Sequence, residues 1–418
     1  MGASYRNYLR RFVLSCVAGL ALVFAFTGGM DIYRIFGTPT LGGVNAGKTG
    51  IDHHARIAKA YAVRDFKPQA VILGSSRAES AFDPRHPYFG GRNAYNLAFQ
   101  GASIYEQYRY LQHATAPGAL RQAVVAVDLF QFLGGAQWVS EDFDEARLAL
   151  DADGRPLGYP WRDVARLTLT GSAVDASFRA LRHQRRKPSI YRADGYRDDS
   201  DDIPQMLKRP EGQHWEFVRS ERGFYQLYPM PRAPMKSSGV VLRSAYEDLE
   251  RMLQWAGTHA IDLVLVIPPV HARHLEVIWQ LGMWPDLEAW KRRLAAIVSA
   301  SSPGKGCRLW DFSVYSGLAT EPLPLPGKVM RWWRESSHAT SAAGGAMLDE
   351  MMNRRGQLDG ESAGACLFPG DIEHVLQRER AAAHDWRLAF PADAREVAAL
   401  NPKPIARTSV EPGREPGQ

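Results

Sequence analysis

The hydrophobic pattern of this chain begins with one unbroken apolar block. Nineteen uncharged residues run from Phe12 to Met30, and a helix of that length spans about 28 Å, near the thickness of a bilayer's hydrocarbon core. Arg6, Arg10 and Arg11 precede it, which predicts a membrane helix with its N-terminal end in the cytoplasm and the remainder outside. Ala25-Phe26-Thr27 is a weak small-x-small site, so a cleaved signal peptide is the competing reading. Residues 31–50 form a Gly/Thr/Pro-rich juxtamembrane segment. The pattern then alternates: a helix over 55–63, a strand at Ala70-Val71-Ile72-Leu73, a short strand over 93–97, a helix over 103–114 with Ile104, Tyr108 and Leu111 on one face, and an apolar strand over 122–127.

The alternation stops over 135–240. This stretch is polar and aromatic, broken by Asp151-Ala152-Asp153-Gly154 and Asp198-Asp199-Ser200-Asp201-Asp202. It reads as a mostly helical insertion, with helices over 142–150 and 161–186 and no site of its own. Alternation resumes with a helix over 241–257, a strand over 262–267, a helix over 284–300, a strand over 308–311 and a helix over 341–352. Strands alternating with helices predict an α/β fold built on a parallel, doubly wound sheet. The domain plan is therefore an anchor over 1–30, the two halves of one α/β domain over 31–134 and 241–355, the insertion between them, and a C-terminal extension over 356–418. In that extension 371–383 reads as a helix and 402–418, rich in Pro, Arg and Glu, as a disordered tail.

Composition changes this picture little. The chain has 418 residues, 45% hydrophobic and 23% charged, with a formal net charge of +6, ordinary for a globular protein. The basic residues are dispersed except for Arg182-His183-Gln184-Arg185-Arg186-Lys187, read as a solvated helix face, and no nucleic-acid module accompanies them. Cys16 lies in the apolar block. Cys307 and Cys366 are open to two readings, a disulfide in an oxidising compartment or two buried thiols. No cofactor or metal is called for. His271 and His274 are three apart but lack an acidic partner at ligand spacing. Gly42-x-x-x-x-Gly47-Lys48-Thr49 fits the letter of a phosphate-binding loop without the strand that should precede it.

Two short stretches carry the chemistry. Gly74-Ser75-Ser76-Arg77 follows the first strand, and Glu335-Ser336-Ser337-His338 precedes the helix over 341–352. A serine at a strand-to-helix turn needs a base to take its proton. A histidine three residues after a carboxylate can be that base, with the carboxylate fixing its tautomer. Ser76, His338, Asp128 and Gly101 would all project from the carboxyl edge of a parallel sheet, where ligands bind. The plain reading of Ser75 and Ser76 is a pair of helix-capping serines. Arg77 either steers an anionic substrate or pairs with an acid such as Glu79. Asp128 orients a loop or caps a turn, and His271 lines the pocket or is structural. Among the tryptophans Trp284, Trp290, Trp332 and Trp333, the last two are the candidates for stacking on a sugar.

These stretches resemble the blocks of the GDSL-type (SGNH) hydrolases. Gly-Ser-Ser stands where that family has Gly-Asp-Ser, and Glu-x-x-His where it has Asp-x-x-His. Asn96-Leu97-Ala98-Phe99-Gln100-Gly101 resembles the block whose glycine amide helps bind the oxyanion. Val127-Asp128-Leu129-Phe130 takes the place of Gly-x-Asn-Asp, without the Asn donor. The chain is similar to membrane-anchored bacterial proteins with an SGNH-like domain and, more remotely, to proteins that O-acetylate alginate or D-alanylate teichoic acid. The resemblance implies a flavodoxin-like, SGNH-type sheet over about 31–355, with Ser76 as nucleophile, His338 as base, Glu335 as its orienting acid, and Gly101 and Asn96 at the oxyanion hole or pocket. It implies a serine esterase or O-acyl(acetyl)transferase in the bacterial inner membrane, its bulk extracytoplasmic. The expected partners are an acylated glycan or acyl donor, the lipid bilayer through residues 12–30, and a membrane O-acyltransferase or polysaccharide export machinery. The other function left open is a non-catalytic protein that keeps the fold to bind polysaccharide or assemble an export complex.

Overall fold

A computed structural model of the chain describes residues 2–46, 51, 54–134, 138–182, 184, 190–200, 202–230, 243–302, 304, 306–353 and 362–402. Helix α1 (Gly2–Met30) is long and apolar enough to cross a membrane. Leu9, Phe12, Leu14, Val17 and Leu20 stand exposed along it. Its last turns are held against the rest of the protein. Phe26 packs on Phe178 with ring centroids 4.7 Å apart, and the Thr27 hydroxyl donates to the Thr168 carbonyl at 3.0 Å.

The core is a six-stranded sheet in the order β2-β1-β3-β4-β5-β8, formed by β1 (Ala70–Leu73), β2 (Ala94–Asn96), β3 (Gln122–Ala126), β4 (Asp262–Ile267), β5 (Leu309–Asp311) and β8 (Ala365–Cys366). The first five are parallel and β8 runs antiparallel to β5. Every residue of β1 and β3 is buried, because both faces of the sheet are covered. Val71, Leu73, Ala123 and Val125 join one apolar cluster with Val63, Leu111, Leu249 and Leu294. Those four come from α2 (Ala55–Phe66), α4 (Ile104–Thr115), α9 (Ala245–Thr258) and α11 (Trp284–Ser301). The alternate residues Ala70, Ile72, Val124 and Ala126 face Ala78, Ala81, Met347 and Leu348, from α3 (Ser76–Ala81) and α12 (Ser341–Met351). This two-sided burial is why the strands read as continuous apolar runs rather than as alternating ones. Winding reverses between β1 and β3, which leaves a crevice at their carboxyl ends.

Capping residues set several helix starts. Ser103 and Glu106 form a capping box at α4, and Ser244 and Glu247 another at α9. The single helix expected over 161–186 is instead α5 (Trp161–Thr168) and α6 (Gly171–Arg182). The break has a local cause: the Thr170 hydroxyl accepts from the Ala173 amide at 3.3 Å and starts a new helix. The helix expected over 142–150 is only a short 3-10 turn, Glu145–Arg147. The insertion continues with α7 (Asp202–Met206) and α8 (Gln213–Leu227). A helix that the pattern did not announce, α10 (Ala272–Gln280), follows β4, with His271 as its cap.

Residues 365–366 of the C-terminal extension add a strand to the sheet. Strand β8 pairs with β5, and Cys366 is disulfide-bonded to Cys307, their Cα atoms 5.8 Å apart. Helices α13 (Ile372–Ala389) and α14 (Pro391–Ala399) return onto the domain. Arg380 pairs with Glu288, Arg387 with Glu276, and Asp393 with Arg273. Gly42 lies in a turn, with no strand before it among the described residues, and Gly47, Lys48 and Thr49 lie outside them. Most of the basic run over 182–187 and the tail from 403 also lie outside them.

Candidate active site

The turn that carries Ser76 is built by three successive residues. Gly74 has φ +153°, and a Cβ there would fall 2.7 Å from Ala78 Cβ and 2.8 Å from Ala126 Cβ, so a side chain has no room. The Ser75 hydroxyl accepts from the Arg77 amide at 3.3 Å and caps α3. Ser76 is then the first residue of the helix, where its own amide has no preceding turn to bond. Across residues 70–81 only Ser76 is partly exposed. Ser75 is buried and donates to Asp128 Oδ2, so of the two serines only Ser76 is accessible from solvent.

Glu335 and His338 reach this turn on a hairpin. Strands β6 (Trp333–Glu335) and β7 (His338–Ala339) pair antiparallel, with Glu335 opposite His338 across a two-residue turn. Opposed residues share a face, so a spacing of three brings carboxylate and imidazole together without a helix. His338 Nε2 lies 2.8 Å from Ser76 Oγ, and His338 Nδ1 is hydrogen-bonded to Glu335 Oε1. The extra methylene of Glu is absorbed by folding the carboxylate back over the turn. The Ser337 amide donates to Oε2 at 3.0 Å and the Ser337 hydroxyl to Oε1 at 2.8 Å. Burial alone would raise the Glu335 carboxyl, but the adjacent His338, with hydrogen bonds from Ser220 and the Ser337 amide, holds it well below the usual carboxylate range. Glu335 is therefore ionised, in contact with the ring that faces Ser76.

The remaining candidate residues divide between the cavity and its supports. Gly101 (φ +60°) and Arg77 line a cavity of about 360 Å³ beside Ser76. Arg77 pairs with Asp128 at 2.7 Å rather than with Glu79. Burial opposes its charge, yet Asp128 and Tyr228 raise its pKa. Asp128, itself buried, ties the ends of β1 and β3 together through Ser75 and Arg77. Asn96 does not reach the cavity. Fully buried, it directs its amide at the carbonyls of Ala78, Glu79 and Phe82 and fixes α3 to β2. His271 is also behind the wall: its Nδ1 accepts from the Arg273 amide, its Nε2 donates to the Glu321 carbonyl at 2.8 Å, and its own amide donates to Ser336 in the hairpin turn. Burial pushes it down to about 4, so it is a neutral strut. Trp332 and Trp333 are buried in an apolar cluster with Phe217 and Leu318.

Two contributors were not visible as such in the sequence. The insertion, expected to hold no site, supplies α8 as a wall. Glu216, Arg219, Ser220, Gly223, Phe224 and Leu227 line a second cavity of about 510 Å³ that also reaches Ser76 and His338. The i, i+4 series Glu216, Ser220, Phe224 was the available signal. The other contributor is Arg56, whose Nη2 donates to the Gln100 carbonyl at 2.8 Å while Glu106 holds the guanidinium at 3.1 Å. In a trans peptide this turns the Gly101 N–H to the opposite side.

No family model matches the chain, and no curated protein matches it.

Proposed function

We propose that this protein is a membrane-anchored serine esterase or O-acyltransferase of the SGNH type, acting on an acyl ester of a cell-envelope glycan. The observation that carries the reading is the contact line from Glu335 through His338 to Ser76 Oγ. Ser76 Oγ attacks the acyl carbon while His338 Nε2 takes its proton, and the Glu335 carboxylate supports the imidazolium. The amides of Ser76 and Gly101 are the donors for the oxyanion. The ester C–O bond breaks, the leaving alcohol takes the proton from His338, and the acyl group remains on Ser76. Water or a sugar hydroxyl, deprotonated by His338, then attacks the acyl carbon, the bond from that carbon to Ser76 Oγ breaks, and His338 returns the proton to Oγ.

The carbohydrate assignment draws on the resemblance and on the larger cavity, where Gln100, Arg197, Glu216, Arg219 and Arg334 offer polar groups to a hydroxyl-rich ligand. The SGNH assignment draws on the 2-1-3-4-5 order of the parallel strands, which is the flavodoxin-like order. An extracytoplasmic bulk fits the N-terminal arginines before α1 and the Cys307–Cys366 disulfide. A C-terminal alkaline phosphatase fusion, active only outside the cytoplasm, tests that topology. The enzyme reading is tested with p-nitrophenyl acetate: wild type should release p-nitrophenol and Ser76→Ala should not. Equal rates in the two proteins would exclude the mechanism.

A further inference from the structure

The resemblance implies an acetyl group, but the cavities beside Ser76 have a different shape. They meet at Ser76, Phe224, Leu227, Ser337 and His338 and diverge from there. The larger carries the polar groups named above. The smaller is walled by Phe130, Trp138, Phe224 and Leu227, which come from three separate segments: the turn after β3, the start of the insertion, and α8. Phe130 and Trp138 pack with ring centroids 6.1 Å apart, and the Trp138 Nε1–H donates to the Gly101 carbonyl at 3.0 Å. The aromatic wall is thereby attached to the glycine beside the nucleophile. Arg77, the one Arg or Lys in this lining among the described residues, is occupied by Asp128 at 2.7 Å.

Resting on the esterase or acyltransferase reading, we infer that the smaller cavity is an acyl-chain site and that the transferred group is a medium-chain acyl of about six to ten carbons, rather than acetyl. About 360 Å³ holds roughly a dozen waters, far more space than the single methyl of an acetyl group needs. Water against four apolar side chains is poorly hydrogen-bonded, and an alkyl chain that displaces it gains up to about fourfold in rate per buried methylene. The larger cavity, which shares Phe224 and Leu227 but also carries Arg197, Glu216, Arg219 and Arg334, then receives the alcohol, so the ester straddles Ser76 with its acyl chain in the compartment that has fewer charged groups.

The test uses full-length protein in nanodiscs, which avoids detergent entering the cavity, and alkyl fluorophosphonates that differ only in chain length. The octyl reagent should label wild type at least tenfold faster than the methyl reagent, and Ser76→Ala should take up neither. Leu227→Glu, a change at the exposed end of α8, should bring the octyl-to-methyl ratio close to one. Ser76-dependent labelling without an octyl preference would overturn the inference and leave the nucleophile standing. So would a preference that Leu227→Glu does not alter. No Ser76-dependent labelling by either reagent would overturn the enzyme reading, and this inference with it.

Discussion

His338 Nε2 lies 2.8 Å from Ser76 Oγ across 262 positions of sequence. Two helices hold that distance. Ser76 begins α3, and α12 starts three residues after His338. The two helices touch where the Cβ of a substituted Gly344 would lie 1.8 Å from the Ala81 carbonyl oxygen. Ser76 and His338 are thus spaced by a contact at the far end of α3.

Gly344→Ala should therefore push α12 from α3, with a stability loss of about 1–3 kcal/mol and a larger loss of esterase activity. Its neighbour is the control. A Cβ at Gly345 meets only His86 at 4.0 Å, so Gly345→Ala should gain about 0.5–1 kcal/mol by helix propensity. Paired urea midpoints and activity assays read both effects.

Glu335→Gln keeps the shape of the hairpin but removes the charge facing His338. Turnover of p-nitrophenyl esters should fall about 10³-fold or more, with KM little changed, as expected for a group that acts on the imidazolium. Ser75→Ala removes a helix cap and the bond to Asp128. It should cost about 1 kcal/mol of stability while keeping much of the activity, in contrast to Ser76→Ala.

Arg56→Met releases the Gln100 carbonyl and with it the orientation of the Gly101 N–H. A drop in kcat of about 10–100-fold at nearly constant KM is expected if that amide serves the transition state. Arg56→Lys, which keeps the donor, should recover part of it. Loss of KM alone would assign Arg56 to substrate binding.

Burial pushes His113 and His271 down to about 4, and His274 also well below its ordinary value. In the unfolded chain each titrates near 6.5, so from there downward the unfolded state binds protons that the folded state refuses. Stability should be full above about pH 7 and decline between 6.5 and 4, each histidine adding up to about 1.4 kcal/mol per pH unit. Glu335 acts elsewhere on the scale. Its depressed pKa contributes stability that persists above the unfolded carboxylate range and is lost only in stronger acid. His271→Asn retains a capping acceptor and should reduce the slope between pH 6.5 and 4 by about one proton, measured from urea unfolding at several pH values.

Cys307→Ser should lower stability by about 4 kcal/mol on loop-closure grounds, because the bond closes a loop of 59 residues. Loss of β8 from the sheet edge should accompany it, seen as faster amide exchange at Ala365 and Leu367.

The sequence by itself determined what local physics can determine. The largely apolar runs at 70–73, 122–127 and 262–267 read as strands, and the structure has strands over Ala70–Leu73, Gln122–Ala126 and Asp262–Ile267. Ile104, Tyr108 and Leu111 on one face announced the helix that the structure forms over Ile104–Thr115. The block from Phe12 to Met30 announced a helix long enough for a membrane. Ser76, Glu335 and His338 could be singled out because they lie in short strings at element ends, and the structure brings the three side chains together. What required tertiary structure was every relationship that no local pattern encodes. Asn96 carries an oxyanion-type amide, but the carbonyls of Ala78 and Glu79 in α3 and of Phe82 just after it engage it. Phe224 and Leu227 look like ordinary apolar positions of an insertion helix until folding sets them against Ser76. Cys307 and Cys366 could pair or stay apart until β8 was added to β5 and brought their Cα atoms to 5.8 Å. Propensity and capping act over a few residues, whereas a cavity wall or a disulfide depends on which surfaces the whole chain buries against one another.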